Sequence, residues 1–144
     1  MTQPTAFKLW QAYPYPPEMS PCSDGYTNQC AIRMSITLEK CGVDLSSYSG
    51  NKCTHGHARG AQGLANHLKR IWGQPTWTYR RNRARASGLL QPHSGVIFFK
   101  NCFTRAGEGT RDGDHIDVWF SGRAQTYENF PGSDEVWFWR LALV

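Results

Sequence analysis

The apolar residues of this chain change their spacing half-way along it, and that change limits the folds open to it. In the stretch 28–42 they recur every three or four residues, and Gly42 provides a helix stop. The stretch 61–72 repeats the pattern and ends at Gly73. We therefore predict two amphipathic helices, with Cys30 in the first turn of the first one.

The second half contains short runs of β-branched and aromatic residues bounded by Gly, Pro, Asp and Asn. We predict strands at 95–100, 115–120 and 135–141, and 76–79 and 125–127 are candidates for two more. The aromatic run 136–139 is predicted to be a buried strand of the core rather than a docking edge. Helices first and strands afterwards indicate an α+β fold with an antiparallel sheet.

The length of the chain allows one hydrophobic core. With 144 residues, of which 40% are hydrophobic and 19% charged, the composition is that of one folded domain covering 1–144. Residues 1–21 contain five prolines among aromatic residues, so we predict an extended segment that lies across the core.

The chain is basic, with a formal net charge of +5. Four of its arginines lie between residues 80 and 85, beside Trp77 and Tyr79. Arginines next to aromatic side chains can grip phosphates and stack on bases, so a nucleic-acid-binding or nuclease toxin domain is the alternative function. The other interpretation of this run is a solvated basic loop.

The N-terminus lacks the pattern of a signal peptide, and no run approaches the roughly 20 apolar residues that span a bilayer. We expect synthesis in the cytoplasm and no membrane insertion. Five cysteines leave at least one thiol unpaired within the chain. Cys53, His55 and His57, with Cys41 nearby, could ligate zinc, but their spacing is short for a structural site, so we expect no metal and no cofactor.

Two residues stand out chemically. A cysteine in the first turn of a helix is favoured as a thiolate, because the free N–H groups and the helix dipole stabilise the anion. His115 follows a turn-rich loop and opens a predicted strand, from where it can face a helix N-terminus and take the thiol proton from Cys30. Alternatively, Cys30 is a small core residue and His115 is satisfied by nearby carboxylates.

The order of these elements, a cysteine at a helix start and then a histidine at a strand start, is the layout of papain-like hydrolases. Four stretches make the resemblance specific: Asn28–Ser35, Gly56–Ala61, Gly113–Trp119 and Trp137–Arg140. They resemble the type VI secretion amidase effectors, fourth family, in register from about Trp10 to the C-terminus.

That resemblance implies a single NlpC-type, papain-like domain, with N-terminal helices packed on the sheet. It implies an antibacterial toxin that a type VI tube or spike component delivers into the periplasm of a rival. There it would cut peptidoglycan stems between D-glutamate and meso-diaminopimelate, until a cognate immunity protein blocked its cleft. On this interpretation no nucleic acid is bound.

The third catalytic residue departs from the family pattern. The family has an Asp about ten positions after the histidine, where this chain has Gln125 or Thr126 and no Asp. A neutral amide can still accept a hydrogen bond from the imidazole and hold its tautomer, so Gln125 is one candidate. Asp117 is the other, because two residues along a strand point to the same face.

Overall fold

The computed structural model describes residues 3–14, 29–81, 83–104 and 113–144, and these ranges form an α+β fold. Their helices are α1 (Ala6–Ala12), α2 (Cys30–Lys40), α3 (Ala61–Trp72) and α4 (Arg83–Leu90). Their strands are β1 (Trp77–Tyr79), β2 (Gly95–Phe103), β3 (Gly113–Phe120), β4 (Arg123–Ala124) and β5 (Glu135–Arg140). The predicted order of helices before strands is confirmed in outline.

The strands form one antiparallel sheet in the order β1-β5-β2-β3-β4. β2 is central, with Phe98 opposite Ile116 on β3 and opposite Trp137 on β5. β4 pairs only with Trp119 and Phe120, at the far end of β3. The first half of β3 therefore has β2 on one side and, within the described ranges, no strand on the other.

Both faces of the sheet are covered by apolar side chains. On one face, Val96 and Phe98 of β2 pack in a core shared with α1, α2 and α3. On the other, Ile97 and Phe99 pack with the buried residues of α4. Because residues 95–99 of β2 are all buried, this part of the strand shows a continuous apolar run in sequence rather than alternation. The predicted burial of 136–139 is confirmed.

The two predicted amphipathic helices are confirmed as α2 and α3. Cys30 is the first residue of α2, and Gly42 after its end has a φ of +84°, a conformation that glycine adopts without strain. α3 ends before Gly73, which also has a positive φ. Both helices pack against β3, so they fix the start of α2 relative to that strand.

The prolines predicted an extended N-terminal segment, but the segment is not extended throughout. Residues 6–12 form α1, whose first turn is capped by the Thr5 side chain accepting from the N–H of Lys8 at 3.3 Å. The prolines at 4 and 14 lie outside this helix, so they delimit it without interrupting it. Residues 15–21 of the segment lie outside the described residues.

Of the possibilities left open by the sequence, the solvated loop is only partly correct and the candidate strand at 125–127 is wrong. The basic run is not wholly a loop, because Arg83 and Arg85 belong to the first turns of α4, which is anchored by buried Ala86 and Leu90. Residues 125–127 follow β4 but are not a strand. In the described part of the chain, no helix has the length and apolar character needed to cross a membrane.

Candidate active site

The thiol of Cys30 lies at the N-terminus of α2, against the start of β3. Its side chain is almost fully buried, and Sγ lies 3.8 Å from the backbone carbonyl oxygen of Asp114. The N–H groups of the first turn of a helix are not used by the hydrogen bonds of that helix, and they favour negative charge on a nearby atom. These N–H groups are therefore available to an anion that forms beside the sulfur.

The imidazole of His115 is buried at the same place. His115 lies on the part of β3 that β4 does not cover, and its ring stacks on Phe99 and meets Tyr127 edge-on. Its side chain forms a hydrogen bond with Cys30. The structure thus brings together the two residues that the sequence singled out.

The other nitrogen of the ring is held by a carboxylate. Nε2 of His115 lies 2.7 Å from Oδ2 of Asp117, which is fully buried. An Nε2–H that donates to Asp117 leaves Nδ1 as the ring nitrogen for the thiol. This is the relation of base and orienting group that nucleophilic catalysis requires.

Asp117 is itself surrounded by donors. The backbone N–H of Val118 donates to Oδ1 at 2.8 Å, and that of Gln125 donates to the same oxygen at 3.2 Å. Oδ2 accepts from the N–H of Thr126 at 3.0 Å, from its hydroxyl at 2.8 Å, and from the N–H of Tyr127 at 3.3 Å. These five hydrogen bonds hold the buried carboxylate in one orientation.

The side chains of Gln125 and Thr126 have different partners. The side-chain amide of Gln125 donates to the backbone carbonyl of Trp10 at 3.0 Å, and only its backbone N–H reaches Asp117. The hydroxyl of Thr126 lies 3.3 Å from Nε2 of His115. Among the described residues, the ring nitrogen therefore meets Asp117 and Thr126, and the Gln125 side chain is directed to α1.

The surroundings keep His115 protonated at neutral pH. Burial alone would lower its pKa, but the negative charge of the Cys30 thiolate and the hydrogen bond to Asp117 outweigh burial and raise the pKa of His115 to about 10. Nearby, burial raises the pKa of the Tyr13 phenol, and the charges of Asp117 and Cys30 add to that effect. Tyr13 thus keeps its phenol proton beside Cys30 and the protonated His115.

A cavity of about 220 Å³ opens onto the thiol and the imidazole. Its other lining residues are Arg33, Phe103, Thr126 and Tyr127. Phe103 and Tyr127 carry no sequence signal that assigns them to the site, because both come from segments whose approach to α2 depends on the tertiary fold. Arg33 could have been placed near the site from the sequence, because it follows Cys30 by about one helical turn.

A comparison with known protein families shows which family the chain belongs to. Residues 26–139 match the family described as Type VI secretion system (T6SS), amidase effector protein 4. This chain belongs to that family. It is an effector of the type VI secretion system, in a family of peptidoglycan amidases whose members are secreted into a target cell.

Solved structures of similar fold include effectors of the same family. The effector Tae4 from Salmonella typhimurium, solved in complex with the immunity protein Tai4 from Enterobacter cloacae, superposes with a TM-score of 0.72 at 16% identity, covering 96% of this chain and 99% of that one. The effector Tae4 from Enterobacter cloacae gives 0.71 at 16% identity, covering 97% and 98%. No curated protein matches significantly. The predicted NlpC-type, papain-like fold is confirmed.

The remaining sites considered from the sequence of this effector lie apart from the cavity. Sγ of Cys53 lies 3.6 Å from Nδ1 of His57, and in the described ranges no three His, Cys, Asp or Glu side chains are placed to hold a metal ion. Arg80 is exposed and pairs with Glu135 at 3.5 Å. None of the four arginines at 80–85 lines the cavity.

Proposed function

We propose that this effector is a cysteine-type peptidoglycan amidase. Cys30 is the nucleophile, His115 is the base and later the acid, and Asp117 orients the His115 ring. The observation that carries the proposal is a buried thiol at a helix N-terminus, hydrogen-bonded to an imidazole whose Nε2 lies 2.7 Å from a carboxylate. A cavity gives a substrate access to both reacting groups.

The reaction proceeds in two halves. The Cys30 thiolate attacks the amide carbonyl, and the backbone N–H of Cys30 at the start of α2 donates to the oxyanion that forms. His115, protonated beforehand, transfers its proton to the leaving amine, and an acyl-enzyme remains on the sulfur. A water molecule that His115 deprotonates then hydrolyses this thioester, which restores the thiol and releases the acid.

Asp117 supports both halves through His115. Its negative charge stabilises the imidazolium, and its Oδ2 fixes the ring so that Nδ1 faces the sulfur. Thr126 donates its hydroxyl hydrogen to the same oxygen and holds the carboxylate in place. In this chain, a residue two positions after the histidine thus supplies the acid that the family places further along.

The bond and the biological setting follow from family membership. We propose that the substrate is the stem peptide of peptidoglycan, cut between D-glutamate and meso-diaminopimelate in the periplasm of the target bacterium. Similar effectors have been solved with Tai4 immunity proteins, so we propose a cognate immunity protein for this chain as well. A tube or spike component of the secretion machine would carry it.

The decisive experiment is digestion of purified sacculi, with mass analysis of the released fragments. Wild-type protein should release peptides that begin with meso-diaminopimelate and leave stems ending in D-glutamate on the glycan strands. Cys30→Ala should reduce the rate at least about 1,000-fold because the nucleophile is absent. Cys41→Ala is the matched control, since this cysteine follows the last turn of the same helix and lies far from its start. It should retain wild-type activity.

The fold of both variants is checked by thermal unfolding, which should differ little from wild type. A folded Cys30→Ala variant that still released stem fragments would refute the nucleophile. Fragments cut at another bond would refute the substrate bond while leaving the cysteine mechanism intact.

A further inference from the structure

A cationic side chain lies in the cavity beside the nucleophile. Arg33 follows Cys30 by three residues on α2, so both side chains are on the same face of the helix. Arg33 is half-buried and lines the cavity together with Cys30 and His115. Its guanidinium is therefore placed to meet a substrate that occupies the cavity.

The guanidinium of Arg33 suits an anionic group next to the thiol. Phe103, Thr126 and Tyr127 are uncharged and add no negative charge to the lining. The guanidinium carries a positive charge. Because it is half-buried, that charge is screened less than one on the open surface, and a guanidinium can bind a carboxylate through two parallel hydrogen bonds.

The proposed substrate carries such a carboxylate a few bonds from the scissile carbonyl. In the stem, D-glutamate is joined through its side-chain carboxyl, so its α-carboxylate is free and is separated from the scissile carbonyl by three saturated carbons. Side chains three residues apart on a helix begin about 5–6 Å from each other, which is the scale of that separation. A carbonyl at the Cys30 sulfur thus brings the α-carboxylate towards Arg33.

We infer that Arg33 binds the free α-carboxylate of the D-glutamate residue and makes this amidase selective for stems in which that group is not amidated. The inference rests on the function proposed above. The contact lies on the acyl side of the bond, so it persists in the acyl-enzyme, whereas the carboxylates of meso-diaminopimelate leave with the amine. Arg33 is therefore a specificity residue for the acid half of the substrate.

Three synthetic stem peptides test the inference. The first has a free D-glutamate α-carboxylate, the second has that group as a carboxamide, and the third is amidated only on the side-chain carboxylate of diaminopimelate. Wild-type protein should cleave the second about 10- to 100-fold less efficiently than the first, because a charge-assisted hydrogen-bonded contact is lost. The third should be cleaved like the first.

Arg33→Met should lower kcat/KM for the first peptide by a similar factor and leave the second within about 3-fold, so that the preference disappears. Arg33→Lys should restore part of the preference, since it keeps the charge without the bidentate geometry. Arg85→Met, which removes an exposed arginine on α4, controls for the change in net charge and should keep the wild-type preference.

Equal losses on the first two peptides in Arg33→Met would overturn the inference, because they would mean that Arg33 only supports the fold of the cavity. It would equally be overturned if wild-type protein showed no preference, or discriminated against the third peptide instead of the second. If wild-type protein cleaved none of the three, the proposed function itself would fail, and the inference with it.

Discussion

Replacing Asp117 by asparagine puts an amino group where one carboxylate oxygen was, and both positions for that group face hydrogen-bond donors. At Oδ1 it would meet the backbone N–H groups of Val118 and Gln125. At Oδ2 it would meet the N–H groups of Thr126 and Tyr127 together with the Thr126 hydroxyl. Neither orientation of the amide avoids a clash of donors.

The orientation with the amide nitrogen at the Oδ1 position costs less stability, because it faces fewer donors. Two buried N–H groups lose their acceptor, and each unsatisfied donor costs about 1–3 kcal/mol, so we expect about 2–6 kcal/mol of lost stability. The amide oxygen then still faces Nε2 of His115, but without a negative charge to stabilise the imidazolium. The second orientation forces the wrong tautomer of His115. Either way, we expect kcat/KM to fall about 10²- to 10⁴-fold.

The assay combines kinetics with thermal unfolding, because a loss of activity could also come from unfolded protein. Activity of folded Asp117→Asn is measured against pH with a stem-peptide substrate. The alkaline limb of kcat/KM should lie near pH 10 in wild type, where His115 loses its proton, and should move to lower pH in the variant. This shift is not expected from a loss of packing alone.

Gln125→Ala is the matched control for the same measurement. It removes a side chain that donates to the carbonyl of Trp10 and keeps the backbone N–H that donates to Asp117. Activity within about 3-fold of wild type and an unchanged alkaline limb are expected. The role of Asp117 as orienting group is refuted if folded Asp117→Asn keeps wild-type kcat/KM, or if Gln125→Ala loses as much activity as Asp117→Asn.

Two further predictions concern stability. Gly95→Ala would place a Cβ 1.9 Å from the carbonyl oxygen of Trp139, so we expect it to lose about 2–4 kcal/mol of folding stability. Gly42→Ala meets no atom within 4 Å and should cost about 1 kcal/mol because of its positive φ. Similar midpoints in thermal unfolding for the two variants would contradict this. Because folding raises the pKa of His115 from 6.5 to about 10, the folded protein keeps this proton above about pH 8.5, where both the histidine and the cysteine of the unfolded chain have lost theirs. Wild-type protein should therefore lose stability between about pH 8.5 and pH 10 relative to His115→Gln, and parallel pH profiles would exclude the linkage.

Local patterns were sufficient for the elements that carry the two reacting groups. The helical period of α2 and the stop at Gly42 placed Cys30 in a first turn, and the aromatic run before Lys100 indicated a buried strand. These features survive in the fold because amphipathic helices and central strands draw their stability from the same apolar residues that reveal them in sequence.

The short helices α1 and α4 were not predicted from the sequence. α1 lies between Pro4 and Pro14. The many prolines of this segment indicated an extended chain, although the nine residues between these two contain no proline. α4 contains Ser87 and Gly88, and its only fully buried residues are Ala86 and Leu90. A helix of two turns is stabilised mainly by packing on the sheet, so its own sequence does not show it.

The sequence by itself determined that this protein has one α+β domain, with Cys30 at a helix start and His115 at a strand start. It also placed Asp117 on the same face of the strand as His115, through the two-residue period. What the tertiary structure decided is where the Gln125 side chain and the Asp117 carboxylate lie relative to the ring. That depends on backbone N–H groups of residues 125–127, which every residue other than proline possesses and no sequence pattern reveals.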